Sequence, residues 1–508
     1  MPSARVPRRT LLRAAAVSGL AALASPAATP LLRSDRPVIT HGVQSGDVLP
    51  GSGLVWARAD RPSRMVVEVS DRPDFRGALR LTGPVLTPDT DFTGRLRVPA
   101  GGRTAHYRVS AEDLDLRTTS APVTGSFRLP PGPDEPVRFL WSGDIVGQGF
   151  GINPDIGGMR VFAAMAARDP DFFLCSGDTV YADGTLDATV VLPDGRVWRN
   201  VVSEAKVKPA ETLAEYRGAF AYNRTDEHLR AFTAGVAQVN QWDDHEVHDN
   251  WYPGGILDDD RYTERRTDVL AARAYRAFHE WVPLDRRRAV DGRVFRSLRQ
   301  GPHVEVFVLD MRSHRDPNGP NLGPSGALLG PRQARWLLDG LAASRATWKI
   351  VAADLPIGRV VGGTDVGWDS VSNAAGGAPL GRETEMAGLL GGLRDRRVRN
   401  VVWLAADVHY TSAHHYSPER AAFTGFDEFW EFVSGPLNAG AFTPAALDPT
   451  FGPEQVFVHA PVDPGSSPLD GFQHFGEVEV APGGEELRVT LRDQYGSALW
   501  STALTPAR

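Results

Sequence analysis

An α/β body preceded by an all-β module is the fold class that this sequence predicts, on three observations. At 508 residues the chain exceeds what a single core holds, so two domains are the default. From about Arg36 to Pro131, short alternating runs are separated by turn residues with no helical period between them. Beyond Pro130-Pro131-Gly132-Pro133, which reads as a linker, apolar strands alternate with helical stretches. The expected organisation is a leader over residues 1–28, a β module over 36–131 and an α/β body over 137–508.

The leader carries Arg5, Arg8, Arg9 and Arg13 and no acid. An apolar, Ala-rich run follows over 14–24, and small residues through Ala28 offer a cleavage region. That is the order of an export signal, too short for a permanent membrane anchor. Arg8-Arg9 followed by Thr10-Leu11-Leu12 resembles a twin-arginine signal, whose pathway carries folded proteins. The expected partner is therefore the twin-arginine (Tat) export machinery, and the expected location is secreted, periplasmic or cell-wall associated.

In the β module, Leu54–Arg58, Met65–Val69, Gly94–Val98 and His106–Val109 read as strands of a small immunoglobulin-like or fibronectin-III-like sandwich. His41 and Asp47 near its start read as packing and turn residues. In the body, strands are expected at Val137–Trp141, Phe172–Cys175, Val236–Trp242, Val304–Leu309, Trp348–Ala353, Val401–Ala405 and Phe429–Val433. Helical periodicity covers Met159–Ala167, Thr212–Ala221, Val269–Trp281, Pro331–Ser344 and Glu385–Leu393.

Composition removes several classes of function. A net charge of −7 with no basic patch gives nucleic-acid binding no electrostatic support. One cysteine, Cys175, excludes a disulfide framework or a thiolate zinc site within one chain. The 52 Gly and 39 Pro imply many long loops around the sheet. There is no G-x-S-x-G elbow, phosphate-binding G-x-x-x-x-G-K-[ST] loop or H-E-x-x-H pair. Gly147-Gln148-Gly149-Phe150-Gly151 lacks nucleotide-loop spacing and reads as a pliable active-site loop.

Five body strands run into oxygen or imidazole donors. Asp144 follows the first, Asp178 and Tyr181 the second, Asp243-Asp244-His245-Glu246 the third, Asp354 the fifth, and Asp407-Val408-His409 the sixth. A strand end delivers such groups to the crevice at the carboxyl edge of a sheet, where α/β proteins keep their ligands. Five strands of one sheet aiming carboxylates at one edge would repel and resist desolvation unless cations joined them. A site for two or more metal ions, held mainly by hard oxygen donors, is the expectation.

Taken in order, these motifs resemble the alkaline phosphatase D family, a branch of the calcineurin-like metallophosphoesterases related to purple acid phosphatases. The resemblance is carried by Gly42-Val43-Gln44-Ser45-Gly46-Asp47 through Trp56-Ala57-Arg58, by Trp242-Asp243-Asp244-His245-Glu246 through Asn250-Trp251, by Leu309-Asp310-Met311-Arg312-Ser313, by Trp348-Lys349-Ile350-Val351 and by Asp407-Val408-His409. It implies a layered metallophosphoesterase-like body and hydrolysis of phosphomonoesters, with phosphodiesters as a second substrate, by metal-activated water. It further implies that Asp178 bridges the ions, that Tyr181 and His409 bind ferric iron, and that Asp244 and Asp407 bind a second ion. His245 is then an electrostatic stabiliser or proton donor, or else a hydrogen-bonded structural residue. Arg312 either contacts a phosphate oxygen or forms a structural ion pair.

One departure from the family pattern concerns the iron ligand. Where the family carries Cys after the first body strand, this chain has Ser142-Gly143-Asp144; Asp144 resembles the first aspartate of purple acid phosphatases, which implies that it is the carboxylate ligand of the iron. Cys175 lies inside a strand and reads as an inert core residue. Fe3+ and Ca2+ are the expected ions, with Mn2+ or Zn2+ as competitors, and Asp354 is a further candidate ligand. His414 and His415 read as outer or surface residues. Two other accounts remain: a dedicated phosphodiesterase or phospholipase D-like hydrolase, and a non-catalytic binding protein that metals merely hold together.

Overall fold

The computed structural model describes residues 36–363 and 367–507, so the leader expected over 1–28 lies outside the described residues. Seven strands come first: β1 (Ile39–Leu49), β2 (Ser52–Ala59), β3 (Ser63–Ser70), β4 (Leu79–Leu86), β5 (Thr93–Pro99), β6 (Thr104–Asp113) and β7 (Val123–Arg128). Next are β8 (Val137–Ser142), β9 (Phe172–Ser176), a hairpin of β10 (Thr189–Val191) and β11 (Val197–Arg199), and β12 (Ala237–Gln241). The second half supplies β13 (Arg296–Gln300), β14 (Val304–Val308), β15 (Trp348–Ala352), β16 (Gly362–Gly363), β17 (Gly367–Trp368), β18 (Val401–Ala405), β19 (Thr411–Tyr416), β20 (Phe429–Val433), β21 (Pro453–His459), β22 (His474–Val480), β23 (Leu487–Asp493) and β24 (Ala498–Leu504).

Two large sheets organise the molecule. One has the order β24-β23-β22-β8-β9-β12-β1-β2-β5, the other β13-β14-β15-β18-β20-β19-β21. Their centres are parallel: Phe139 pairs with Phe172 and Phe172 with Ala237 in the first, and Val304 pairs with Trp348 and Val402 with Trp430 in the second. Period-2 alternation gives each central strand two apolar faces. Phe139, Trp141, Phe172 and Leu174 share one core with Val306, Ile350, Val402 and Leu404 of the other sheet. The alternate residues turn outward onto helices: Leu140, Phe173 and Cys175 toward Val161–Ala166 and Glu227–Gly235, and Phe307, Val351 and Trp403 toward Gly330–Ala343 and Glu383–Asp395. The result is helix, sheet, sheet, helix in layers, an α/β fold.

One correction follows. The donor-bearing strands do not belong to one sheet, because β8, β9 and β12 lie in the first and β15 and β18 in the second. Periodicity identifies a strand but not its neighbours, and the convergence comes from stacking two parallel sheets with their carboxyl edges together.

The first seven strands form two layers. A four-stranded sheet of order β4-β3-β6-β7 shares its core with β1, β2 and β5, which complete one end of the nine-stranded sheet through parallel pairing of Gly46 with Gln238. β1 carries polar residues into the interior, which hides it from a hydrophobic scan. Gln44 Nε2 donates to the carbonyl oxygen of Trp281 at 2.8 Å. Asp47, read as a turn residue, instead receives Arg296 Nη2 at 2.7 Å and Nε at 3.0 Å, both side chains being fully buried. Since β13 carries Arg296, this pair ties the two sheets together. Arg296→Met should cost about 3–5 kcal/mol, because it strands a buried carboxylate, and urea unfolding of the variant checks it. Among the described residues no helix is long and apolar enough to cross a membrane.

Candidate metal centre

Each donor stands at a fixed offset beyond its strand. β8 ends at Ser142 and Asp144 follows two residues on; Asp178, Asp354 and Asp407 bear the same relation to β9, β15 and β18, and Asp243 to β12. To turn back into the crevice, Asp144, Asp178, Asp407 and His409 take positive φ angles of 63°, 48°, 65° and 58°. That left-handed region is sparsely populated outside glycine, and strained backbone of this kind gathers at functional sites. Glycine makes room beside them. A Cβ on Gly177 would sit 2.4 Å from Asp243 Cβ, and one on Gly435 would sit 2.2 Å from Asp144 Oδ2.

The donors converge into three overlapping groups: Asp144, Asp178 and His409; Asp178, Asp244 and His245; and Asp243, Asp244 and Asp407. Within each, one ligand atom per residue lies within 4.8 Å of the others. Tyr181 joins the first group, its hydroxyl 2.7 Å from His409 Nε2, while His409 Nδ1 donates to the carbonyl oxygen of Gly440 at 2.5 Å. That bond leaves Nε2 as the lone pair facing the cluster. Asp178 and Asp244 each belong to two groups and so occupy the middle of the array, with Asp178 on the side of Asp144 and His409 and Asp244 on the side of Asp243 and Asp407.

Electrostatics confirm that the cluster is unstable to full ionisation. Burial, reinforced by the charge of Asp243, pushes Asp144 well above the ordinary carboxylate range. Burial does the same to Asp178, Asp407 and Asp354, and together with Asp178 and Asp144 it raises the Tyr181 phenol. The His409 imidazole is held at about 4 by burial, and is therefore neutral. Asp144 Oδ2 and Asp243 Oδ2 are buried oxygens without a hydrogen-bond partner. Buried carboxylates with orphaned oxygens, neutral imidazole and phenol are the donor set of hard or borderline cations, so the residues present fit metal ions.

His245 stands apart in character. Its Nδ1 meets both oxygens of Asp183 at 2.9 Å, and its Nε2 faces Asp249 at 3.6 Å. Burial opposes its charge, yet Asp183, Asp244 and Asp178 hold the imidazolium well above its usual pKa. Asp183 in turn lies at about 2, its burial outweighed by His245. Sequence reading missed Asp183, five residues beyond Asp178 in a loop with no periodicity. Only its buried carboxylate against His245 reveals it. Asp183→Asn should lower kcat about 10–100-fold, the usual cost of losing a group that orients a site residue, with metal content unchanged; kinetics and elemental analysis of one sample check this.

Arg312, for which a phosphate contact and a structural ion pair were both expected, is paired with carboxylates. It is fully buried, with Nε donating to Asp243 at 2.5 Å and Nη1 to Asp369 at 2.8 Å, and with Nη2 3.5 Å from Asp407. Asp354 stands behind this pair, receiving Gln241 Nε2 at 3.3 Å, and belongs to none of the three groups. Cys175 packs in the core 3.6 Å from the carbonyl oxygen of Gly177, its thiol pushed up to about 12 by burial. Ser142 donates to the carbonyl oxygen of His474, and among the described residues no cysteine belongs to the three donor groups.

Above the array opens a cavity of about 410 Å³. Asp178, Asp244, Asp407 and His409 form its floor side, His245, Asp249 and Asn250 one flank, and Val360, Tyr410, Phe442 and Ala445 an apolar wall.

Carboxylates drawn from two sheets to the base of one pocket place the chain among metal-binding hydrolases. It belongs to the PhoD-like phosphatase family, which matches residues 139–491, and the family's N-terminal domain matches residues 24–131. Alkaline phosphatase D of Bacillus subtilis (strain 168) is 30% identical over 434 residues, covering 79% of this chain and 69% of that protein. The solved structure described as "Structure of PhoD" shares the fold, with a TM-score of 0.68 at 22% identity over 93% of this chain and 90% of that one.

Proposed function

We propose that this chain is an exported, metal-dependent phosphatase that hydrolyses phosphomonoesters and phosphodiesters. The observation that carries the reading is the central place of Asp178, shared by two of the three donor groups at the base of the pocket. In this reading Asp144, Asp178, Tyr181 and His409 hold Fe3+, while Asp178, Asp244 and Asp407 hold Ca2+, with Mn2+ or Zn2+ as competitors. Bound there, such ions supply a positive field for phosphoryl oxygens and lower the pKa of a water.

The chain's own residues do the rest. His245, kept protonated by Asp183, faces the pocket from the flank and gives its proton to the departing alkoxide oxygen. The apolar wall of Val360, Tyr410 and Phe442 excludes water around the organic group. Arg312 neutralises Asp243 and Asp369 and keeps Asp407 turned toward the pocket. The N-terminal layers, read as an immunoglobulin-like sandwich over residues 36–131, complete the end of the central sheet, and residues 1–28 act as the twin-arginine leader.

A dedicated phosphodiesterase is the second reading. Among the described residues neither Lys nor Arg lines the pocket, and Asp249 adds a carboxylate at its flank, conditions that suit a singly charged diester better than a dianionic monoester. Rates on one aryl monoester and one aryl diester, with metals quantified in the same preparation, decide between the two. Purified protein with iron on Tyr181 is purple or pink, and Tyr181→Phe loses that colour. A colourless, metal-free protein inert toward both esters after metal addition overturns the enzyme reading and leaves the binding-protein account.

A further inference from the structure

Behind the apolar wall lies a buried polar relay that touches none of the metal-ligand candidates. Arg359, 2% exposed, donates from Nη1 to the carbonyl oxygen of Ala445, and from Nη2 to Gln455 Oε1 and to His414 Nε2, the last at 3.0 Å. Its guanidinium carbon lies 5.3 Å from the centre of the Tyr410 ring. Because His414 Nε2 accepts, its proton sits on Nδ1, which donates to Glu431 Oε2 at 2.9 Å. Burial keeps that imidazole neutral. Glu431 also accepts from the Tyr416 hydroxyl at 2.8 Å and from the backbone N–H of Ile357 at 2.6 Å. The N–H of Val360 donates to the carbonyl oxygen of Ala446 at 3.1 Å, and that of Asp448 to Gly358 at 2.9 Å.

Two loops are thereby stitched together, one facing the pocket through Val360 and the other through Ala445, with Tyr410 of the β18–β19 connection under the Arg359 guanidinium and also lining the pocket. Arg359, His414 and Glu431 do not line it. An apolar filler of equal volume would serve stability as well as this charged relay does. What a guanidinium adds is direction, with several acceptors held at fixed angles by one planar group.

We propose that Arg359 is a positioning residue that fixes the wall formed by Val360, Tyr410 and Ala445, and thereby selects the organic group of the ester rather than its phosphoryl group. This inference rests on the ester-hydrolase reading above. Its test is steady-state kinetics on p-nitrophenyl phosphate and bis(p-nitrophenyl) phosphate, together with inhibition by inorganic phosphate, which carries no organic group.

Arg359→Met should raise KM for both aryl esters about tenfold, as a displaced positioning element does, with kcat, metal content and the inhibition constant of phosphate unchanged. His414→Leu should move KM in the same direction. His414→Gln should restore it, since the amide can donate to Glu431 and accept from Arg359. Should Arg359→Met fail to fold, Gln455→Leu, at an exposed position, removes one acceptor of the same guanidinium, and a smaller rise in KM is expected. Unchanged KM in these variants, or a rise matched by equal weakening of phosphate inhibition, overturns the proposal. Wild-type protein that hydrolyses neither ester overturns the functional reading itself, which separates the two failures.

Discussion

Asp178→Asn should lower kcat by about 10³-fold or more, because the several kcal/mol that bound cations contribute at a phosphoryl centre are lost, and about 4 kcal/mol corresponds to that factor. Asp178 is the one residue common to the group around Asp144 and His409 and the group around Asp244 and His245, so an amide there weakens both. Bound metal in the purified variant should fall with activity. Stability without metal should not fall, since the change removes one of several mutually repelling buried carboxylates. Full turnover by the variant would refute the central role of Asp178. Loss of activity accompanied by a lowered unfolding midpoint without metal would show a structural role instead.

Metal-free protein should become less stable as pH rises, and added metal should abolish that slope. Asp144, Asp178, Asp354 and Asp407 have folded-state pKa values raised by burial. A carboxyl group raised on folding binds more protons in the folded state. Its contribution to stability is whole below the unfolded value of about 4 and is lost as pH climbs through the folded value. Cations reverse the balance by replacing the protons. At free ion a thousandfold above Kd, binding to the folded state alone adds about 4 kcal/mol. Binding must also release protons, which calorimetry in buffers of different ionisation enthalpy measures. Thermal unfolding at pH 6 and pH 8, with and without chelator, checks the slope. Equal stability at both pH values in chelator would show that these carboxylates keep ordinary pKa values.

The parts of the site that lie immediately beyond apolar strands are legible in the sequence. Asp144, Asp178 and Asp407 follow runs whose alternation or continuous hydrophobicity marks them as interior strands, and a two-residue offset carries each to the same edge. His245 was readable as a residue of the donor cluster, but its protonation was not, because Asp183 lies 62 positions away in sequence and in a loop. Arg312 kept two readings for a similar reason. Its partners Asp243 and Asp369 are 69 and 57 residues distant, and only packing shows that its charge is spent on carboxylates. β1 escaped notice because Gln44 and Asp47 are polar residues buried by specific partners rather than by hydrophobicity.

By itself the sequence determined local periodicity and the chemistry stationed at each strand end. Those depend on neighbours a few residues away, and hydrophobic alternation and turn residues report them directly. Tertiary structure alone decided that the donors come from two sheets rather than one, that Arg312 faces inward, and that the pocket wall hangs from Arg359. Each of these depends on contacts between distant segments, whose geometry is set by how layers stack and which buried charges find partners, and no pattern along the chain encodes that pairing.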